Sequence, residues 1–269
     1  MERLKKRYRY SLILSKQLVK TDFKLRYQGS VLGYAWSLLR PLLLFVILYV
    51  VFVNFLKFKD DTIPHYAIYL LLGIVLWNFF SETTSQSLSS IVSRGEIIRK
   101  IKIPRWTIVF SSSLSALINL LLSLIVVGFF MIINGEGVLR TIVFFPVIML
   151  QLYLLALGLS FFLAALYVKY RDMSYIWEVI LQAAFYVTPI IYPLSLITNE
   201  TFQKLLLLSP VASAIQDARY AVVSHNTITT TGIIDSFWLQ LLPYAVSVVV
   251  FVGGILFFKK QSASFAENL

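Results

Sequence analysis

Ionisable side chains are scarce in the apolar stretches of this chain, and the few that stand there are the first candidates for chemistry. Glu82 lies in "SETTSQSLSS" and Glu178 in "SYIWEVILQ", each inside a run long enough to cross a bilayer. A carboxylate at that depth is costly and faces protein or water, so it marks a proton relay, an ion pair or a polar pathway. A relay needs a second carboxylate or a basic partner in the membrane, and the sequence pairs neither residue with one. Glu82, Gln86 and Ser89 instead recur at i, i+4 and i+7, which places them on one helix face. Ser111, Ser115 and Asn119 repeat that spacing in the next apolar run. Two uses fit: hydrogen bonding between helices, which small polar residues commonly provide, or a hydrophilic wall in which Glu82, Gln86, Ser89, Ser115 and Asn119 line a pore.

Other chemistries are excluded or thinly supported. The chain has no cysteine, and its two histidines, His65 and His225, are far apart with no companion ligands, so neither a thiolate nor a histidine metal site is expected. No G-x-x-x-x-G-K-[ST] loop is present, so ATP cannot be held in the P-loop manner. No catalytic residue is assigned. A membrane-embedded enzyme acting on lipid-linked sugars would need a convergent acidic or histidine-containing site. Asp22 and Asp172 are the only candidates on the basic face, and "YRD" reads better as a turn. Interrupted helices in an inverted repeat around a midplane ion site, frequent in secondary transporters, are not evident either.

The elements that must position these residues follow from composition. Of 269 residues 58% are hydrophobic and 14% charged, with mean hydropathy +0.79. Continuous apolar runs near 35–56, 66–90, 107–133, 141–168, 174–192 and 238–258 reach the roughly 20 residues needed to cross a hydrocarbon core about 30 Å thick. The expected fold is an all-α polytopic membrane protein with six spans and a single domain over 1–269, and no soluble domain. Trp36, Trp77, Trp106, Tyr192 and Trp238 stand at span ends, as interfacial aromatics do.

Residues 1–34 are basic and amphipathic: Leu12, Leu14, Leu18, Val19 and Phe23 share one face, Lys16, Lys20 and Lys24 another. This is the pattern of a helix lying in the headgroup region. The net charge of +11 therefore reads as membrane topology rather than nucleic-acid binding. With both termini in the cytoplasm, nineteen basic residues fall inside and only Lys57, Lys59, Arg140, Lys204 and Arg219 outside, a bias that sets the orientation. Residues 193–237 contain apolar runs too short to span, broken by Pro193 and Pro210, and read as two short re-entrant or interfacial helices on the outer side.

One loop is too elaborate for a connector. "SRGEIIRKIKIPRW" (93–106) interleaves Arg94, Glu96, Arg99, Lys100 and Lys102 with Ile97, Ile98, Ile101 and Ile103 before Pro104. A mere positive-inside anchor has no use for four isoleucines.

Taken with "DFKLRYQGSVLGYAWSLLRP" (22–41), "LLGIVLWNFFSETTSQSLSSIVSRGEIIRKIKIPR" (71–105), "ALYVKYRDM" (165–173), "TPIIYP" (188–193) and "LSPVASAIQDARYAVV" (208–223), the chain resembles the permease subunit of a bacterial ABC exporter of the polysaccharide, O-antigen, capsule and teichoic-acid class. The resemblance covers nearly the whole chain. One departure is Ser209, where the family more often has Asn before the proline. The family implies a homodimer in the inner membrane and two copies of a separate ATPase subunit that holds ATP and Mg; no cofactor belongs to this chain. It makes the loop a coupling helix over Arg94–Pro104, with Arg94, Glu96, Ile97, Ile98, Arg99, Lys100, Ile101, Lys102 and Pro104 meeting the ATPase. It implies short outer helices that narrow the exit, with Pro189, Tyr192, Pro193, Pro210 and Arg219 in that outer gate. For such a cargo, Arg26, Tyr27 and Trp36 of the basic N-terminal segment are expected to meet the pyrophosphate of a lipid-linked glycan at the inner interface, since cations suit phosphate and aromatics the headgroup level. An exporter of small molecules or lipids with the same fold is the nearer alternative.

Overall fold

The computed structural model describes residues 13–21, 24, 30, 33–55, 63–100, 103–134 and 139–265. Every regular element among them is helical. A bilayer demands this, because backbone groups that water cannot reach must be paired within the segment. Helix α1 covers 13–21. Then come α2 (Trp36–Leu48), prolonged by π-helical turns over Tyr49–Phe55, α3 (Tyr66–Ser93), α4 (Gly95–Lys100) and α5 (Arg105–Ile133). A 3-10 turn (Arg140–Phe144) leads into α6 (Phe145–Lys169), followed by α7 (Met173–Val187), α8 (Glu200–Leu207), α9 (Pro210–Val222), α10 (Thr230–Ile233) and α11 (Phe237–Gln261).

Among the described residues four helices are long and apolar enough to cross a membrane: α3, α5, α6 with its 3-10 turn, and α11. Two shorter apolar helices, over Pro41–Val51 and Met173–Val187, stand at the positions expected for the remaining spans. The 15 residues of α7 rise only about 22 Å. Its expected continuation to 192 is broken by prolines. The residue before a proline is driven out of the α region, and Thr188, before Pro189, is extended at ψ 135°.

The same chemistry acts at the end of the charged segment. Among the described residues of the predicted Arg94–Pro104, Gly95–Lys100 is helical. Arg94 is a turn residue closing α3, with φ −114° and ψ 22°. Ile103 precedes Pro104 and is not helical, and Pro104 itself is extended at ψ 111°. Ile101 and Lys102 lie outside the described residues. In α1, Leu14, Leu18 and Val19 are half-buried and Lys16, Gln17 and Lys20 exposed, while Ile13 is exposed and Ser15 buried; Arg26 and Tyr27 are not among the described residues.

Helix α3 is the central post. It is buried along most of its length and packs against α2, α5, α6, α7 and α9. The core around it has two parts. One gathers Tyr69, Leu72, Leu76, Phe80, Leu120, Leu152 and Ile215 at the end that carries α9. The other gathers Ile91, Ile108, Phe161, Val168, Phe258 and Phe265 at the end that carries α4. Helices α6 and α11 form the most extensively packed pair. A Cβ on Gly158 would lie 2.5 Å from the Phe251 Cα, and one on Gly254 would overlap the Gly158 carbonyl, so these backbones meet as small residues allow in membranes. Leu121, Ile125, Phe129 and Ile132 of α5 and Val249, Val252 and Leu256 of α11 stay exposed. Such outward apolar faces suit lipid.

Candidate functional site

A layer of hydroxyl and amide groups separates the two parts of the core, and it ties α3 to its neighbours. The Trp177 indole of α7 donates to the Thr84 hydroxyl at 3.1 Å, and the Ser160 hydroxyl of α6 lies 3.2 Å from the Thr83 carbonyl. Ser113 of α5 meets Tyr153 of α6 at 3.1 Å. The carboxylate expected to line a pore belongs to this layer. Glu82 Oε1 accepts from Gln86 Nε2 and from Asn119 Nδ2, both at 2.6 Å. The two polar faces read from sequence are thus one cluster, joined across α3 and α5. Ser115 is buried and donates back to the Ser111 carbonyl of its own helix.

Ser89 goes elsewhere. It lines a cleft of about 650 Å³ between α3, α7 and Leu44 of α2. The cleft's walls are unusual for a membrane domain: Asn78, Ser81, Ser85, Glu178 and Gln182 supply polar groups, while Trp77, Trp177 and Tyr186 supply flat faces. Helix α7 presents Ser174, Trp177, Glu178, Leu181, Gln182 and Phe185 to it. That spacing, i, i+3, i+4, i+7, i+8 and i+11, is one face of a helix, and it is present in the sequence. Glu178 is exposed into the cleft rather than packed among helices. Trp36, at the start of α2, is also exposed and is not one of the cleft residues.

The expected outer gate is built around a buried cation. Arg219 of α9 is 0% exposed, the bulkiest side chain so enclosed. Its Nε donates to the Tyr69 carbonyl at 2.9 Å, Nη1 to the Pro189 carbonyl at 2.6 Å, and Nη2 to the Ile190 carbonyl at 2.6 Å. Nη1 also reaches Gln216 Oε1 at 3.3 Å, which accepts from the Tyr69 hydroxyl at 3.1 Å. The guanidinium carbon stands 3.7 Å from the Tyr69 ring centroid, a cation–π contact. Burial lowers the pKa of Arg219, yet a guanidinium keeps its proton in proteins. Gly73 makes this possible, since a Cβ there would sit 2.9 Å from the guanidinium carbon. The sequence reads Arg219 as one of a few basic residues on an outer loop. It is instead the pin that joins α9, α3 and the broken end of α7.

Pro189 is thereby brought to Arg219. The Tyr192 hydroxyl donates to the Val187 carbonyl at 2.8 Å, and Pro193 beside it is buried. Pro210 opens α9, and its carbonyl lies 3.5 Å from Gln151 Nε2 of α6.

Helix α9 turns a second charge the other way: Asp217 accepts from Ser213 at 3.2 Å and from the Tyr244 hydroxyl of α11 at 3.4 Å. Burial pushes the Asp217 carboxyl up, to about 6, against the hydrogen bonds from Ser213, Tyr244 and the Thr230 backbone that lower it. Neither Asp217 nor Gly73 stands out in the sequence. Three helices, α8, α9 and α10, occupy the segment expected to hold two.

The described helices thus combine outward apolar faces, a polar cleft, a short charged helix at one end and, at the other, α9 pinned by Arg219. The profile of the ABC-2 type transporter family matches residues 14–223, and the chain belongs to that family. It is therefore a transporter membrane subunit, not an enzyme, and membership carries with it an ATPase partner subunit. The chain is similar to the O-antigen export system permease protein RfbA of Myxococcus xanthus, at 30% identity over 97% of both chains. Two permeases of the same name from Klebsiella pneumoniae are 27% and 28% identical, over 99% and 94% of this chain and 99% and 93% of theirs.

Proposed function

We propose that this chain is the membrane-spanning subunit of an exporter that passes an O-antigen-type, lipid-linked polysaccharide out of the cytoplasm. The observation that carries this reading is the cleft between α3 and α7, considered beside the full-length similarity to permeases named for O-antigen export. Hydroxyl, amide and carboxylate groups alternate there with indole and phenol faces. Sugars are bound by that combination: polar groups meet hydroxyls, and flat rings meet the apolar faces of pyranoses. A drug-sized or lipid cargo has less use for so many hydrogen-bonding groups.

On this reading the chain crosses the inner membrane six times with both termini in the cytoplasm, α2 and α7 being the two short crossings. Two copies form the conduit, and two ATPase subunits, which hold ATP and Mg, dock on the end carrying α4. Glu96 and Arg94 supply charge at that surface, with Arg99, Lys100 and Lys102, while Ile97, Ile98 and Ile101 fill an apolar groove and Pro104 stops the helix. Arg26 and Tyr27, near Trp36, receive the pyrophosphate of the lipid-linked glycan, because cationic groups bind phosphate strongly. Pro189, Tyr192, Pro193, Pro210 and Arg219 frame the exit. Glu82, Gln86, Ser115 and Asn119 stiffen the wall behind the cleft, and Ser89 faces it.

The test is a gentle-detergent purification from native cells with mass spectrometry of what co-purifies, alongside surface polysaccharide. A stoichiometric ATPase is expected, and both ATPase and surface polysaccharide should be lost when 94–102 becomes a Gly/Ser linker. A homo-oligomer with no ATPase, or unchanged surface polysaccharide after deletion of the gene, refutes the reading.

A further inference from the structure

The last residues of the described chain do not trail away from α11. After Lys259 and Lys260 the backbone turns through a 3-10 helix, Ser262–Ser264, and Phe265 is 1% exposed. Its ring packs edge-on against Phe258, with centroids 5.4 Å apart, and Phe258 packs in turn against Phe161 of α6 at 5.2 Å. On its other side the Arg105 guanidinium, at the first residue of α5, lies 5.8 Å from the Phe265 centroid. The same apolar cluster includes Ile91 at the end of α3, and Ile98 of α4 and Leu18 of α1 pack against it. Phe265 therefore sits where the charged segment, the last long helix and α1 converge.

We propose that the segment Ser262–Phe265 is a clamp that ties α11 to the coupling segment, with Phe265 as a positioning residue that carries ATP-driven displacement at Gly95–Arg105 into α11. The proposal rests on the exporter reading above. Helix α11 is suited to pass such a movement on. Its backbone is locked to α6 at Gly158 and Gly254, so the two helices behave as one stiff shaft. At the far end α9 packs against both members of the shaft. Asp217 takes its hydrogen bond from Tyr244 of α11, and the Pro210 carbonyl faces Gln151 of α6. No described residue of α2 or α7 belongs to the cluster around Phe265. A displacement that enters there moves the shaft against α3, on which α6 packs, and α3 forms with α7 the walls of the cleft. Coupling in proteins travels through packed elements of this kind when they have two arrangements.

The experiment uses the full chain with its ATPase subunit in the cells that make both. Phe265→Ala, Phe265→Leu and Arg105→Gln are compared with a Gly-Gly insertion between Gln261 and Ser262, which keeps every side chain but frees the tail. Three quantities are read: the amount of co-purifying ATPase, ATP hydrolysis by the complex, and surface polysaccharide. Phe265→Ala and the insertion are expected to retain the ATPase and its hydrolysis while export falls about tenfold, a usual size for a coupling effect. Phe265→Leu refills the apolar site and restores most of the export, and Arg105→Gln gives a smaller loss. Should Phe265→Ala fail to accumulate in the membrane, the insertion decides the matter by the same readouts. Wild-type export in both the alanine variant and the insertion overturns the clamp. So does loss of the co-purifying ATPase in step with export, which would make Phe265 a docking residue. Absence of ATPase from the wild-type complex is separately visible and overturns the exporter reading instead.

Discussion

Replacing Arg219 by Met tests the physical account of the α9 end most sharply. The substitution keeps most of the volume and removes the charge with its donors. A buried charge costs desolvation, and whole buried ion pairs exchanged for apolar groups are often neutral or even stabilising. That outcome requires both partners to leave together. Here the acceptors are main-chain carbonyls of Tyr69, Pro189 and Ile190, and they remain behind when the guanidinium goes. Hydrogen bonds to a charged group contribute about 1.5–3 kcal/mol each. The two 2.6 Å bonds to Pro189 and Ile190 thus set the expected loss at about 3–6 kcal/mol. For a chain of this size that lowers the thermal midpoint of the detergent-solubilised protein by about 10 °C or more. Arg219→Lys keeps the charge but cannot fork toward two carbonyls, so it should recover roughly half. Gly73→Ala reaches the same network without touching the arginine, since its methyl would stand 3.2 Å from Arg219 Nε and closer still to the guanidinium carbon. Combined with Arg219→Met it should cost much less than the sum, because the clash has vanished. A Met variant that melts with the wild type, or additive behaviour of the pair, refutes this reasoning.

Other outcomes follow from the same contacts. Glu82→Leu strips Gln86 and Asn119 of their shared acceptor and should lower the thermal midpoint clearly, while Glu82→Gln, which keeps an acceptor oxygen, should lower it less. Gly158→Leu forces α6 and α11 apart and is expected to abolish accumulation in the membrane, measured by immunoblot, whereas Gly128→Leu, with open space around its Cβ site, should be tolerated. Asp217 is expected to give a pH signature. Its carboxyl pKa in the folded protein, about 6, lies above the ordinary 3.8, so the folded state holds a proton that the unfolded chain has released. Stability from this group is complete below the lower value, declines as pH rises between the two, and stays lower above 6 by about 3 kcal/mol. Asp217→Asn should flatten that slope and raise the midpoint at neutral pH; an unchanged difference between acidic and neutral pH in the variant would count against it.

How much of this is legible in the sequence depends on the range of the interaction. Helix positions follow from the length of apolar runs, and the observed helices begin and end within a few residues of the expected ones. The exception, α7 ending at Val187, has a proline just beyond it, at Pro189, and a proline drives the residue before it out of the helix. The spacing of Glu82 and Gln86 predicts a polar face, and that of Ser115 and Asn119 another. Their union across α3 and α5 requires knowing which helices are neighbours, which periodicity does not encode. Arg219 is the clearest failure. Counted as a loop cation it is one of the five basic residues that stand against the inside bias; in the structure it is enclosed, because Gly73, in another helix and 146 positions away by number, leaves room for it. The clearest missed signal is on α7, where Ser174, Trp177, Glu178 and Gln182 already share one face.

The placement of the two charges on α9 suggests what that helix does. Arg219 and Asp217 are both largely buried and only two positions apart, so they point to different sides. Had they been four apart they could have neutralised each other within the helix, and α9 would have been stable in itself and weakly bound to its surroundings. Instead the cation is bonded to carbonyls of α3 and of the broken end of α7, and the carboxylate takes the Tyr244 hydroxyl of α11. Besides Ser213 and Gln216 of α9 itself, the carboxylate and the cation take their partners from different neighbours. Helix α9 is therefore a crosspiece between the α3–α7 side and the α6–α11 shaft, and neither side can withdraw from it without exposing a buried ion to a site that no longer solvates it. The two bonds are unequal: three short contacts hold Arg219, whereas Asp217 is held by one at 3.4 Å to α11 and can accept a proton near pH 6.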